Sequence, residues 1–479
     1  MLYKNPTGAV VLLGLLALSP YARGQDATPV EVETADKQEE HAETESAGAS
    51  DTPLIEDKDP LEFGNKETVW GKLALHYRLR PEFRNNADLD SGEDDKNFVG
   101  WHRARIGLGL NYSKWLKAFV QFQDCRSLGY LNSSVAYGGN TDLHQAWIRF
   151  GFVDDLLTLK VGRQHLVYGD QRLIGHLEWA NRPRLFDAAV VSWNHSVGSL
   201  DLFASVFSSD PGGNLIDYST VFFGIYNALH FFEKTVVWEQ YLLGLTDADN
   251  ARAPGQMYDP EDEEAASPYR KVGTVGTRLR YNGTSFATGA EVAYQFGKAN
   301  TDADIKQNAF ALHADAKYTF QVPWKPFLRI EANYASGNRT NAEDESSRFI
   351  NLFPTNHLHY GYMDLQNWSN AINGSAGTGF KPSKHFALSI DYWILARANT
   401  DDGWFNAAGK PLYVAQEDAP TDHEDDALLG HEVDITVKTP VNKHVKIVTG
   451  FSLFSPTGYA LSKGEDLQTW LFTMLVVNF

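Results

Sequence analysis

The stretch VWGKLALHYRLRPEFR, Val69 to Arg84, interleaves two kinds of residue. Side chains on a strand point to opposite faces in turn. Val69, Leu73, Leu75, Tyr77, Leu79 and Phe83 therefore share one face, and Lys72, His76, Arg78, Arg80, Glu82 and Arg84 share the other. A soluble sandwich buries its apolar face. A transmembrane barrel turns that face to lipid and its charged face to a wet lumen. The same pattern recurs as far as the terminal Phe479, where Leu471, Leu475, Val477 and Phe479 fall on one face.

The connections between these stretches alternate in length. Segments 85–97, 126–140, 168–184, 209–217, 247–271, 298–307, the stretch from 338, 402–428 and 455–466 read as long polar loops. Between them, 113–115, 153–155, 195–198, 230–234, 282–284, 321–325 and 439–443 read as short turns. This predicts an all-β chain: a single transmembrane up-and-down antiparallel β-barrel of about eighteen strands, with both termini on the short-turn, periplasmic side. Gly and Ser blur the alternation most between Asp364 and Phe380. Trp70, Tyr112, Phe152, Trp193, Tyr281 and Trp470 are placed to form interfacial girdles.

Composition agrees. Of 479 residues 43% are hydrophobic, yet outside the N-terminus no apolar run is long enough for a helical span. Lys4, the apolar run 9–18 and Ala22-Arg23-Gly24 together read as an export signal over 1–24. Residues 25–66 read as a disordered acidic periplasmic leader, and 67–479 as the barrel. The leader supplies much of the net charge of -19, so that figure says little about the pore. Cys125 is the single cysteine, so no internal disulfide forms, and it has no metal-ligand spacing.

Carrying the alternation through each strand points Arg78, Arg80, Arg103, Arg105, Arg149, Lys160, Arg278 and Arg280 inward. On the lipid face each would cost roughly 2–4 kcal/mol at mid-membrane. Glu291, Asp315, Glu331, Asp391, Glu432 and Asp434 fall on the same faces and can pair with these cations. A pore for a polyanion must attract each unit and still release it. Arg suits this because its fork grips a carboxylate at two points and stays charged. The alternative is that the charges only brace the wall. Segment 168–184 combines Asp170, Arg172, Glu178 and Arg182 with Trp179, and reads either as a loop folded into the mouth or as a packed external lid.

Four runs resemble the alginate-export family of outer-membrane barrels. They are DLHQAWIRFGFVDDLLTLKVGRQHLVYGDQRLIGHLEWANRPRLFDA from Asp142, YASGNRTNAEDESSRFINLFPTNHLHYGYMDLQN from Tyr334, GHEVDITV from Gly430 and FSPTGYA from Phe454. Gly162-Arg163-Gln164 and Gly169-Asp170-Gln171-Arg172 are the most specific parts. The resemblance implies an eighteen-stranded barrel whose narrow, arginine-rich lumen passes alginate, a chain of uronates with one carboxylate per sugar. It also places Arg103 or Arg105, Arg149 and Arg163 in strands that match the family's basic constriction. The penultimate strand departs from the family pattern, carrying His444, Lys446 and Thr449 in place of closely spaced arginines.

No nucleophile elbow or phosphate loop is present, and His357-Leu358-His359 lacks a third ligand at an informative distance. No enzyme, cofactor, metal or nucleic-acid role is expected. The expected partners are an anionic polysaccharide or oligosaccharide, outer-membrane lipid and the barrel-assembly machinery, with the chain a monomer. Two function classes remain: a passive channel selective for a polyuronate, and a general porin or anion-preferring small-solute channel.

Overall fold

A computed structural model describes residues 61–66, 68–87, 97–130, 140–207, 220–247, 270–339, 344–409, 411–412, 423, 425–462, 464 and 466–479. The expected export signal, and the leader as far as residue 60, lie outside these. The described chain forms one sheet of twenty strands, two of which are the short pieces Glu62–Gly64 and Glu345–Ser346; all pairings are antiparallel except that of Glu345–Ser346 with Lys306 and Gln307.

The other eighteen are β1 (Val69–Asn85), β2 (Asn97–Tyr112), β3 (Leu116–Tyr130), β4 (Asn140–Phe152), β5 (Leu157–Gln164), β6 (Phe186–His195), β7 (Gly198–Phe207), β8 (Thr220–Phe231), β9 (Val236–Asp247), β10 (Arg270–Asn282), β11 (Phe286–Asn300), β12 (Ile305–Thr319), β13 (Phe327–Ala335), β14 (Ala371–Ser383), β15 (Phe386–Ala396), β16 (Leu428–Pro440), β17 (Val445–Pro456) and β18 (Gln468–Asn478). Each pairs with its neighbour in the chain, and β18 returns to β1 with Tyr77 opposite Val477 and Leu79 opposite Leu475. The closure leaves no open edge.

At the seam, Leu75 and Phe479 exchange both backbone hydrogen bonds at 2.9 Å, and Phe479 stacks on His444 at 4.5 Å. Where β18 ends, Glu62–Gly64 takes its place beside β1, with Glu62 opposite Lys72. Residues 62–64, expected in the leader, are thus a strand of the barrel sheet. Asn65 N–H donates to Val69 O at 2.8 Å and Lys66 pairs with Glu62 at 2.7 Å.

Burial is inverted relative to a soluble sheet. On β10, Val275, Leu279 and Tyr281 are exposed, while Arg278 between them is 7% exposed. On β1, Leu73, Leu75 and Phe83 are exposed, while His76, Arg78, Arg80 and Glu82 are buried. Replacing Val275, near the middle of its strand, with Arg should cost about 2–4 kcal/mol. Denaturant titration in lipid vesicles checks this, and Thr274→Arg on the inner face should not show the same lipid penalty.

One rim carries only short turns, at 113–115, 153–156, 196–197, 232–235, 283–285, 320–326, 384–385 and 441–444. The opposite rim carries the long loops. One expected long loop is absent, because β11 runs on to Asn300 and β12 begins at Ile305. Lys298 pairs with Asp304, and Asn300 Oδ1 accepts from the N–H groups of Asp302 and Ala303 at 2.9 Å, so four residues close the turn. Tyr112, Phe152, Trp193 and Tyr281 are exposed near the turn rim, as a girdle requires. Trp70 and Trp470 do not join them. Both share the inward parity, and Trp470 is buried, donating to Glu82 Oε2 at 3.2 Å. Their even spacing from Arg78 and Glu82, or from Phe472, fixes that side.

Candidate functional site

Two of the long loops fold into the barrel and pair with each other. In loop 165–185, Gly175 N–H donates to Phe353 O at 2.7 Å, and Leu173 O accepts from Phe353 N–H at 2.9 Å, Phe353 belonging to loop 336–370. Their apolar residues Leu173, Ile174, Phe349, Phe353 and Trp368 pack with Phe186, Phe222, Tyr226 and Tyr241 of the inner wall. A second cluster joins Met363, Leu365 and Trp404 to Phe454, Trp470 and Phe472. The inner wall is thus a second interior, and its tenants are loops.

At one end of loop 165–185, three wall arginines converge on Glu178. Arg103 Nη2 lies 2.8 Å from Oε2, and Arg105 Nη1 lies 3.0 Å from Oε1 and 3.1 Å from Oε2. Arg78 Nη1 donates to the Glu178 carbonyl at 2.8 Å and its Nη2 to the Ala180 carbonyl at 3.0 Å. Arg80 pairs with Glu82 at 2.6 Å, donates to Trp179 O at 2.6 Å, and stacks on the Trp179 ring at 3.9 Å. Trp179 in turn stacks on His357 at 3.8 Å. Cys125 Sγ donates to Asn181 O at 3.0 Å.

At the other end, Arg172 reaches Glu331 at 3.2 Å, Asn333 at 3.2 Å and Asp170 at 3.4 Å, and it lies over Tyr360 at 5.3 Å. Asp170 lies 4.0 Å from Arg278, which pairs with Glu239. Around the wall Arg280 holds Asp315 at 2.7 Å, Arg329 holds Asp391 at 2.6 Å through Nε, and Tyr241 OH donates to Glu291 at 2.7 Å. Glu432 and Asp434 accept from the backbone N–H groups of Met363 and Tyr362 at 2.9 and 3.2 Å. That approach needs Gly361: its φ is +92°, and a Cβ there would lie 2.6 Å from the Glu432 carboxyl. Nearer the turn rim, Arg149 pairs with Asp155 at 3.2 Å and Lys160 covers Trp147 at 4.3 Å.

Arg163 is a correction. Register pairs it with Ala146 and Asp187, on the face of Leu159 and Val161, and Asp187 shares the face of Val191 and Trp193. Its ion pair with Asp187, at 2.9 Å, therefore lies on the outer side of the wall near the loop rim. It lies three positions after the inward Lys160, an odd offset, so strand alternation puts the two on opposite faces. Sequence reading also missed His144, His165, His313 and Glu239 inside the barrel. Alternation alone finds Glu239 and His313, whereas His144 is hidden by a register shift opposite Gln121 and Phe122.

Electrostatics holds the loop charged at neutral pH. Burial raises the Glu178 carboxyl, but Arg103 and Arg105 more than offset it and hold it well below the usual carboxylate range. Burial and Arg172 with Arg278 act in the same way on Asp170, with the same net lowering. For His359 burial, then Arg172, pulls the imidazole down to about 4, and its Nε2–H donates to Asp170 O at 3.0 Å. A base with a depressed folded value gives stability that is fully present above about 6.5 and lost as pH falls toward 4. The Glu178 and Asp170 carboxylates, depressed in the fold, keep their full contribution over the upper part of that window, and Glu178's begins to fall only below its ordinary value of 4.5. Acidification from pH 7 to 4 should thus loosen the docked loops by about 3 kcal/mol through His359, with His359→Gln flattening the slope. Unfolding midpoints across that pH range, read by heat-modifiable gel mobility, check this.

The alginate-export family model matches residues 69–468. No curated protein matches the chain. Among solved structures, the outer membrane protein OprD of Pseudomonas aeruginosa aligns with a TM-score of 0.55 at 10% identity, covering 85% of this chain and 93% of that one. OccAB1 of Acinetobacter baumannii gives 0.54 at 10% identity, covering 85% and 97%. OccK2 of P. aeruginosa, in complex with glucuronate, gives 0.52 at 10% identity, covering 85% and 98%. These likenesses show the fold. With the closed barrel and the family match, they make the protein a bacterial outer-membrane channel, and the chain belongs to the alginate-export family.

Proposed function

We propose that this channel passively passes an anionic polysaccharide or oligosaccharide of the polyuronate class through an arginine-lined lumen. The observation that carries this reading is the convergence of Arg78, Arg103 and Arg105, from two adjacent strands, on one loop segment and its carboxylate. A group of guanidiniums that grips Glu178 has the donors to grip a uronate carboxylate. Solved OccK2, with its glucuronate, is a barrel of the same fold that takes a single uronate. Outer-membrane lipid surrounds the apolar face in this reading, and the barrel-assembly machinery inserts a monomer behind an export signal (1–24) and an acidic leader.

A second reading, a general or anion-preferring porin, is favoured by one observation. Arg80, Arg103, Arg105, Arg172, Arg278 and Arg280 each have a carboxylate of this chain within 4 Å, which also braces the wall. Liposome swelling with uronate oligomers against neutral oligosaccharides of equal size separates the two. The proposal expects faster uronate entry, reduced in Arg103→Ala and Arg105→Ala and unchanged in the outward-facing Arg163→Ala. Equal entry of both solutes rejects it.

A further inference from the structure

Beside the arginine cluster lies a group of imidazoles that the channel reading does not use. His144 of β4, His165 just after β5, and His176 and Glu178 of loop 165–185 meet inside the wall. His144 and His165 rings pack edge to face at 5.1 Å, and His165 and His176 at 5.0 Å. Opposite β3, the register shift leaves His144 as the extra residue of a bulge, so that His144 and Gln145 are both buried. Bulges re-aim side chains and are common next to functional sites.

His144 Nε2 lies 3.9 Å from Glu178 Oε1 and His165 Nε2 lies 3.7 Å from it, and the three ligand atoms all fall within 4.8 Å of one another. His144 is fully buried, yet neither of its ring nitrogens has a hydrogen-bond partner among the described residues, and nor does His165 Nε2. Each buried polar atom left without a partner carries a desolvation cost. Something that accepts a lone pair from each Nε2 at once would remove that cost at those two atoms.

We propose that His144, His165 and Glu178 bind a divalent transition-metal ion of the zinc class. Two imidazoles and a carboxylate are a borderline donor set suited to such an ion. Metal–ligand bonds of about 2.0–2.2 Å put tetrahedral ligand atoms roughly 3.3–3.6 Å apart. Side-chain shifts of a few tenths of an ångström bring the two His–Glu178 spacings, 3.9 and 3.7 Å, to that value, and rotation of the two imidazoles closes the His144–His165 pair from within 4.8 Å. Arg103 and Arg105 hold Glu178 from its other side, orienting the carboxylate as outer partners of metal ligands do. Their charge makes the site weaker than the same donors would be alone. His144 belongs to the wall and the other two ligands to the loop and its root, so a bound ion fastens the loop to β4 whatever the channel's cargo.

The test is zinc titration by calorimetry of the full barrel, refolded in detergent without a histidine tag and stripped with chelator. One ion per barrel is expected, with affinity falling at least about tenfold in His144→Ala and in His165→Ala. Absence of saturable one-to-one binding, or binding that survives unchanged in the folded double variant, overturns the site. Should the variants fail to fold, the visible spectrum of the native barrel with Co2+ decides. Tetrahedral d–d bands support the site, and a spectrum of aqueous Co2+ alone rejects it. Neither readout involves transport, so failure here leaves the channel reading standing.

Discussion

Replacing Glu178 with Ala is expected to lower the unfolding free energy by about 3–5 kcal/mol and, at the same time, to raise anion over cation permeability. The first effect follows from burial. Arg103 and Arg105 are 2% and 4% exposed and share this carboxylate. Removing one member of a buried charge set leaves its partners without compensation, and that loss is of this size. The Glu178, Trp179 and Ala180 carbonyls still accept from Arg78, Arg80 and Arg103, so the loop keeps part of its hold. The second effect follows from charge. A lumen that has lost one negative group beside several guanidiniums attracts anions more strongly. Denaturant titration reads the stability, and the reversal potential across a KCl gradient reads the selectivity. Unchanged values for both would mean that the loop does not dock on these arginines.

The opposite end of the loop gives the second large effect. Arg172→Ala should destabilise the barrel by a similar amount, about 3–5 kcal/mol, and should release loop 165–185 from β12 and β13. Arg172 is 2% exposed and joins Asp170, Glu331 and Asn333 beneath Tyr360 and Trp368. Its removal strands the Glu331 carboxylate and opens a gap under two aromatic rings. A released loop widens the pore, so single-channel conductance should rise. Arg172→Lys tests the geometry, because an ammonium keeps the charge but cannot reach three acceptors as a planar fork does. It should recover only part of the stability. Conductance equal to the parent in both variants would show that the loop does not narrow the path.

The barrel was legible in the sequence because its physics acts residue by residue. Alternation along Val69–Asn85 or Arg270–Asn282 needs no knowledge of what the strand meets, and lipid on one side enforces it. The same local rule predicts Arg78, Arg103, Arg278 and Glu432 on the inner face. Three features escape that reading. Arg163 takes a luminal place only from its family position, whereas its three-residue offset from Lys160 puts it outside. Asn300 and Lys298 close a four-residue turn that a polar composition disguises as a long loop. Above all, the partners of the luminal arginines come from segments far away in the chain. Glu178 is 73 residues from Arg105, and Glu331 is 159 from Arg172. The charges and Trp179 of loop 168–184 mark it as more than a connector and leave an inward fold and an external lid open, because which wall each charge meets depends on closure of the whole barrel.

We propose that Arg78, Arg103 and Arg105 form a carboxylate-gripping site inside the lumen, at which a travelling uronate competes with Glu178. Single-channel recording in planar bilayers with added oligouronate tests it most directly. Resolved, concentration-dependent interruptions of current are predicted in the parent channel, sharply shortened in Arg103→Ala/Arg105→Ala and absent with a neutral oligosaccharide of equal length. Interruptions that are missing in the parent, or equally long in the double variant, would contradict the account.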